Sequence, residues 1–251
     1  MNFNFLSPVS DLVLAHNELL SQQALGRKLR IHSKQKGIPD LEGVHVALIG
    51  VLENRNDANY IGEEFQLNEI RKSFYALFPG SWDTNIADLG DINKGETIDD
   101  TYFALKTTLA ILLEKHIIPV IIGGTQDLTY ANYRAYDAII PMVNIVNIDC
   151  RFDLGDSTKP IKNTSFVGKI ILDKPYNLFN YATIGYQTYF NSQEEIDLMD
   201  KLYFESYRLG QVSNNIKLVE PVLRDANIVS IDLNSVKSSE VSLNQKYSPN
   251  G

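Results

Sequence analysis

Ile117-Ile118-Pro119-Val120-Ile121-Ile122 runs without one polar side chain into Gly123-Gly124-Thr125-Gln126-Asp127. A short apolar, β-branched run stopped by glycines reads as a strand buried on both faces, ending in a tight turn. The same pattern recurs twice. Met142 to Ile148 leads into Asp149-Cys150-Arg151-Phe152-Asp153, and Asn227 to Leu233 carries Ser230-Ile231-Asp232-Leu233-Asn234. Each polar motif therefore falls at the C-terminal tip of a strand.

Further strands are expected over Val44 to Val51, Trp82 to Leu89 and Tyr181 to Tyr186. Helices are expected between them. Leu67 to Phe78 places Ile70, Phe74 and Leu77 at helical spacing and stops at Pro79-Gly80. Thr97-Ile98-Asp99-Asp100 is a capping-box signature before a face of Tyr102, Leu105, Leu109 and Leu112, with Lys115 and His116 suited to its C-terminus. Ser192-Gln193-Glu194-Glu195 caps a helix through about Tyr207, and a last helix from near Ser213 to Arg224 is kinked or restarted by Pro221. Alternating βα units of this kind predict a three-layer α/β/α sandwich around a mostly parallel sheet. Ligands bind such sheets beyond the carboxyl ends of the strands, where the three motifs converge. There is no internal repeat or linker-like composition, so one domain over residues 1–251 is expected. It comprises an N-terminal helical extension (1–43), a core (44–237) and a polar tail (238–251).

The 251 residues are 44% hydrophobic and 22% charged, which suits a globular protein with a sizeable core. A formal net charge of -8 gives no reason to expect nucleic acid or an anionic membrane as partner. The basic stretch Arg27-Lys28-Leu29-Arg30 through Lys34 and Lys36 is local and reads as a solvated face. One cysteine, Cys150, excludes an intrachain disulfide and fits a reducing compartment. Without a signal-like h-region or a membrane-length apolar run, a cytoplasmic location is expected.

In order and local pattern, the three motifs resemble those of the arginase/agmatinase/formimidoylglutamase (ureohydrolase) family, which read GGDHS, DAHxD and SxDxDxxDP. The likeness extends to Ile70-Arg71, to Ala87-Asp88-Leu89-Gly90-Asp91-Ile92 before Gly95, and to Asp100-Thr101-Tyr102. Phe152-Asp153-Leu154-Gly155, Gly168-Lys169-Ile170-Ile171 and Gly185-Tyr186-Gln187-Thr188 are similar to a formimidoylglutamase-related subgroup. The resemblance implies an arginase-like fold and a binuclear manganese site of four aspartates and two histidines. It also implies hydrolysis of carbon–nitrogen bonds in linear amidines, and homo-oligomers. The family's chain continues into a helix and an interior strand, so this chain is expected to lack its last strand, with the tail as the truncation point.

Carried over position by position, the ligand set is incomplete. The first histidine falls on Gln126 and the second on Arg151. Asp149, Asp153 and Asp232 are kept, the next aspartate is Asn234, and a later non-ligand aspartate is Lys237. A guanidinium is a permanent cation with no lone pair, so Arg151 cannot be a ligand. Arg151 is therefore expected in the place of one metal, bridging Asp149 and Asp232, with Asn234 and Lys237 completing the replaced cluster. Two divalent cations beside it would leave positive charge uncompensated, at several kcal/mol per ion.

Three readings follow. The first is a catalytically impaired or non-catalytic family member without cofactor, acting through binding or self-association as a homo-oligomer. The second is a hydrolase of linear amidines using one Mn²⁺ (or Mg²⁺) on Asp149, Asp153, Asp232 and Gln126, with Asp127 assisting proton transfer. The third is a module in which Arg151 binds a small carboxylate. Cys150 reads as a packed apolar residue rather than a nucleophile. No histidine partners Ser230, so a serine-hydrolase triad has no support.

Overall fold

The computed structural model describes residues 3–62, 64–156 and 158–237. The chain divides into two compact units, Met1–Thr125 and Gln126–Gly251, where one domain was expected. Each unit has its own sheet, and among the described residues no strand pairs with both.

The first unit contains β1 (Leu6–Ser7), α1 (Asp11–Leu19), β2 (Arg30–Ile31), β3 (Val46–Val51), α2 (Asn68–Tyr75), β4 (Ile86–Ile92), α3 (Ile98–Glu114) and β5 (Ile118–Ile122). The path β1-β4-β3-β5 forms a sheet, β2 also pairing β4, in which only the β1–β4 pair is antiparallel. Residues 1–43 are thus not simply a helical extension, because β1 and β2 both join this sheet. Ala47 to Val51 are all buried, as a strand covered on both faces requires. The Thr97 capping box forms with Asp100, and Tyr102, Leu105, Leu109 and Leu112 are all buried. Helix α2 departs from expectation: Ile70 and Leu77 are exposed, whereas Arg71 and Tyr75 are buried. The second strand also begins later than expected, leaving Trp82 exposed.

The second unit contains α4 (Leu128–Ala135), β6 (Val143–Ile148), α5 (Phe166–Leu172), β7 (Leu178–Tyr186), α6 (Gln193–Lys201), β8 (Glu205–Arg208), α7 (Leu209–Asn214), α8 (Glu220–Arg224) and β9 (Ile228–Ile231). Its sheet runs β8-β7-β6-β9 and is parallel throughout. The two-residue period of each strand sorts side chains between two cores. Ile145 and Tyr181 pack with Tyr133, Phe152, Phe166 and Ile170 on one face. Val146 and Ala182 pack with Val212, Val219 and Val222 on the other. Each large aliphatic or aromatic side chain so buried contributes about 1.5–3 kcal/mol.

The Ser192 capping box forms with Glu195, but α6 stops at Lys201 and Glu205–Arg208 is a strand rather than helix. Tyr203, at φ 55°, breaks the helix there. Pro221 sits in the first turn of α8, so the last helix restarts instead of continuing from Ser213. Each unit ends its sheet on a strand with exposed apolar side chains: Ile118 and Val120 on β5, Val229 and Ile231 on β9. The polar tail expected over 238–251 lies outside the described residues.

Candidate functional site

Sheet register in the second unit brings two of the motifs side by side. Ile148 pairs with Ile231, and Asp232 N donates to Ile148 O at 3.0 Å. Asp149 and Asp232 therefore follow adjacent strands at the same end of the sheet. One step back in period, Asn147 pairs with Ser230, so the two strands present Asn147 and Asp149 beside Ser230 and Asp232.

The Gln126 side chain spans this square. Its amide lies 2.6 Å from Asp232 Oδ2 and 3.0 Å from Asp149 Oδ2 on one side, and 3.2 Å from Ser230 Oγ and 2.6 Å from the Asn147 amide on the other. Carboxylates accept hydrogen bonds, so the amide nitrogen must face them; amide orientation is decided by partners, not by shape. Its oxygen then accepts from Ser230 Oγ. It accepts from Asn147 only once that amide is turned as well, since Asn147 Oδ1 is the atom at 2.6 Å and its buried nitrogen has no partner among the described residues. Thr129 Oγ1 adds a hydrogen bond of 2.9 Å to Ser230 Oγ.

Asp153 is held by its own local structure. Its backbone is left-handed (φ 53°), and its carbonyl accepts from Val167 N, in α5, at 3.2 Å. Helix α5 approaches so closely that a Cβ on Gly168 would stand 2.1 Å from Leu154 O. Phe152, fully buried, anchors the segment between the two aspartates. The Asp149 and Asp153 carboxyl groups are both buried, and Asp153 Oδ2 has no hydrogen-bond partner among the described residues. Burial raises both above the ordinary carboxylate range, and the charge of Asp149 raises Asp153 further. Asp149 Oδ1 also accepts from Arg151 N at 3.0 Å, and Asp232 Oδ1 from Asn234 N at 2.6 Å.

Three expectations need correction. Arg151 does not bridge Asp149 and Asp232. Its side chain is exposed, donates to Phe190 O at 3.0 Å and lies over the Phe190 ring at 4.9 Å. A flexible side chain that can stack on an aromatic in solvent avoids the cost of burying its charge. Only a minor influence of its charge reaches Asp153. Asn234 meets Asp232 through its backbone rather than its amide. Lys237 is exposed and makes none of the ion pairs among the described residues. Asp127 is fully buried at the start of α4. Burial, with Asp149 adding to it, pushes the Cys150 thiol up to about 12, which suits a packed residue and not a nucleophile. Asn147, Ser230 and Thr129 were not anticipated; the signal was their two-residue offset from Asp149 and Asp232 on paired strands.

Residues 44–241 match the family model described as "Arginase family". The chain belongs to the arginase family. It is 27% identical over 176 residues to a formimidoylglutamase of Macrococcus caseolyticus, covering 68% of this chain and 55% of that one. It is 28% identical over 166 residues to a formimidoylglutamase of Staphylococcus epidermidis, covering 62% and 52%. The chain thus spans about half the length of these curated relatives. Among solved structures, formimidoylglutamase from Bacillus subtilis superposes with a TM-score of 0.72 at 19% identity, covering 83% of this chain and 71% of that one. Trypanosoma cruzi formiminoglutamase, solved with Mn²⁺, gives 0.70 at 17% identity, covering 81% and 74%. These likenesses establish an arginase-type α/β fold.

The residues of this arginase-family chain do not fit a binuclear manganese centre. Neither histidine position carries an imidazole, and a donor amide faces Asp149 and Asp232. Among the described residues, no three His, Cys, Asp or Glu side chains stand where they could hold a metal ion.

Proposed function

We propose that this arginase-family chain does not hydrolyse linear amidines and acts, without a metal cofactor, through binding or self-association in a reducing compartment. The observation that carries this reading is the loss of both imidazoles, with Gln126 at one position and Arg151, turned to Phe190, at the other. A metal ligand must offer a lone pair, and a guanidinium has none. Homo-oligomerisation is the role we favour, supported by the exposed apolar side chains on β9 and by the chemistry lost from the ligand positions.

Purified protein supplied with Mn²⁺ should release neither glutamate from formimidoylglutamate nor urea from agmatine or arginine, and should sediment as an oligomer. Mn²⁺-dependent turnover that disappears in Asp232→Ala would overturn the proposal.

One observation favours a second reading. With Arg151 turned away, no protein cation pairs directly with Asp149 or Asp153 among the described residues. One divalent cation on Asp149, Asp153, Asp232 and Gln126 Oε1 would be compatible in charge and in donor type, with Asp127 as proton acceptor. Binding it would require the Gln126 amide to turn over and the three carboxylates to draw together.

A further inference from the structure

We propose that Gln126 is the residue that closes this site to metal, its amide nitrogen taking the bridging position between Asp149 and Asp232 that a cation would otherwise take. The proposal rests on the metal-free reading above and names the residue responsible.

The geometry is specific to a glutamine. The amide faces four partners at once, two carboxylate oxygens at 2.6 and 3.0 Å and two neutral groups at 3.2 and 2.6 Å. Donors on one side and an acceptor on the other match carboxylates at one level of the sheet and a hydroxyl and an amide at the level before. Paired strands fix those levels, because Asn147 is in register with Ser230. Asn147 Oδ1 and Ser230 Oγ could accept from the amide nitrogen in the other orientation, at 2.6 and 3.2 Å, so it is the two carboxylates that fix the nitrogen's side. Thr129, in α4, is hydrogen-bonded to the same Ser230 hydroxyl.

An amide nitrogen has no lone pair to offer a metal, and its two hydrogens supply the positive end of a dipole. Both carboxylates are satisfied by it without a counter-ion. The lock is therefore a matter of two atoms. Replacing the NH₂ group by an acceptor, at unchanged side-chain length, places a third oxygen next to Asp149 Oδ2 and Asp232 Oδ2. Such a cluster repels itself unless a cation enters. Oxygen-rich sets of this kind take Mn²⁺, Mg²⁺ or Ca²⁺.

The test compares the wild-type protein with Gln126→Glu and Gln126→His. Mn²⁺ content is measured after equilibrium dialysis, and melting temperature is measured with Mn²⁺ and with EDTA. Wild type should retain no stoichiometric Mn²⁺ and melt at the same temperature in both. Gln126→Glu should melt lower in EDTA and gain about 5 °C on saturating Mn²⁺. Gln126→His, which offers an imidazole nitrogen, should retain one Mn²⁺ per chain. If either variant is unfolded as purified, recovery of its near-ultraviolet circular dichroism on refolding with Mn²⁺ supports the lock, and no recovery counts against it.

Stoichiometric Mn²⁺ on the wild type would overturn the proposal, as would folded variants that both ignore Mn²⁺. The second outcome leaves the non-hydrolytic reading intact. Amidine hydrolysis by the wild type refutes that reading on its own.

Discussion

Two buried clusters of aspartates in this molecule are neutralised in different ways. In the first unit, Arg71 Nε donates to Asp88 Oδ2 at 2.8 Å, Nη2 to Asp88 Oδ1 at 3.2 Å and Nη1 to Asp91 Oδ1 at 2.7 Å. Tyr75 Oη and Gly90 N complete the Asp88 carboxylate at 2.8 and 2.9 Å. Among the described residues of the second unit, no guanidinium stands between Asp149, Asp153 and Asp232. The Gln126 amide lies against Asp149 and Asp232 instead. The first cluster is a fixed ion pair whose counter-charge the fold supplies permanently. The second carries charge that a proton or an added cation can compensate, so it remains chemically convertible.

The largest effect should come from breaking the first cluster. Arg71 is 2% exposed, and Arg71→Met would leave Asp88 and Asp91 unpaired in the interior. Removing one partner of a buried pair costs about 3–5 kcal/mol. Urea denaturation should show the midpoint falling accordingly, and a loss under about 1 kcal/mol would show that water reaches the pair. Tyr75→Phe removes one charge-assisted hydrogen bond to Asp88 while keeping the ring. It should cost about 1.5–3 kcal/mol by the same measurement.

The second cluster should respond with the opposite sign. Burial first, and then the Asp149 charge, hold Asp153 well above the ordinary carboxylate range. Below about pH 4 the carboxyl is protonated in folded and unfolded chains alike. As pH rises, the unfolded chain releases its proton before the folded chain does, so this group's contribution to stability is lost on the way up to its folded pKa. Asn keeps the shape, tolerates the left-handed backbone at this position and does not titrate. Asp153→Asn should therefore match wild type near pH 4 and exceed it increasingly toward neutrality in urea denaturation. A variant less stable than wild type at pH 7 would mean that the Asp153 charge is used, as a bound cation would use it.

What could be read from sequence divides along the same physical line. Both capping boxes and the buried face of α3 depend on neighbours within a few residues and were legible, whereas the bounds of β4 and the exposure of β5 were not. Arg71 was not, although the resemblance marked it: helical spacing nominated Ile70 and Leu77 for burial, and only Asp88, 17 residues away, makes an arginine the buried residue of α2. The second unit shows the same limit. The motifs placed Asp149 and Asp232 at strand ends, but the Gln126 amide meets them, with Asn147 and Ser230 on its other side, only through the register of two strands. Glu205–Arg208 became a strand because Tyr203 ends the helix and β7 offers an edge, neither of which periodicity records.

Arg151 provides the smallest and sharpest contrast with Arg71. Its charge and its place in the second motif suggested that it would bridge Asp149 and Asp232 as Arg71 bridges Asp88 and Asp91. Its guanidinium instead makes one hydrogen bond to Phe190 O and stacks on that ring at an exposed position. Such contacts are worth about 1 kcal/mol or less. Arg151→Met should therefore change stability by no more than that, against about 3–5 kcal/mol for Arg71→Met. The comparison carries its own control, because both substitutions delete the same charge and keep a similar aliphatic stem. If Arg151→Met were as damaging as Arg71→Met, the guanidinium would have to reach the aspartates in solution. If it is nearly silent, the second cluster does not depend on the Arg151 charge.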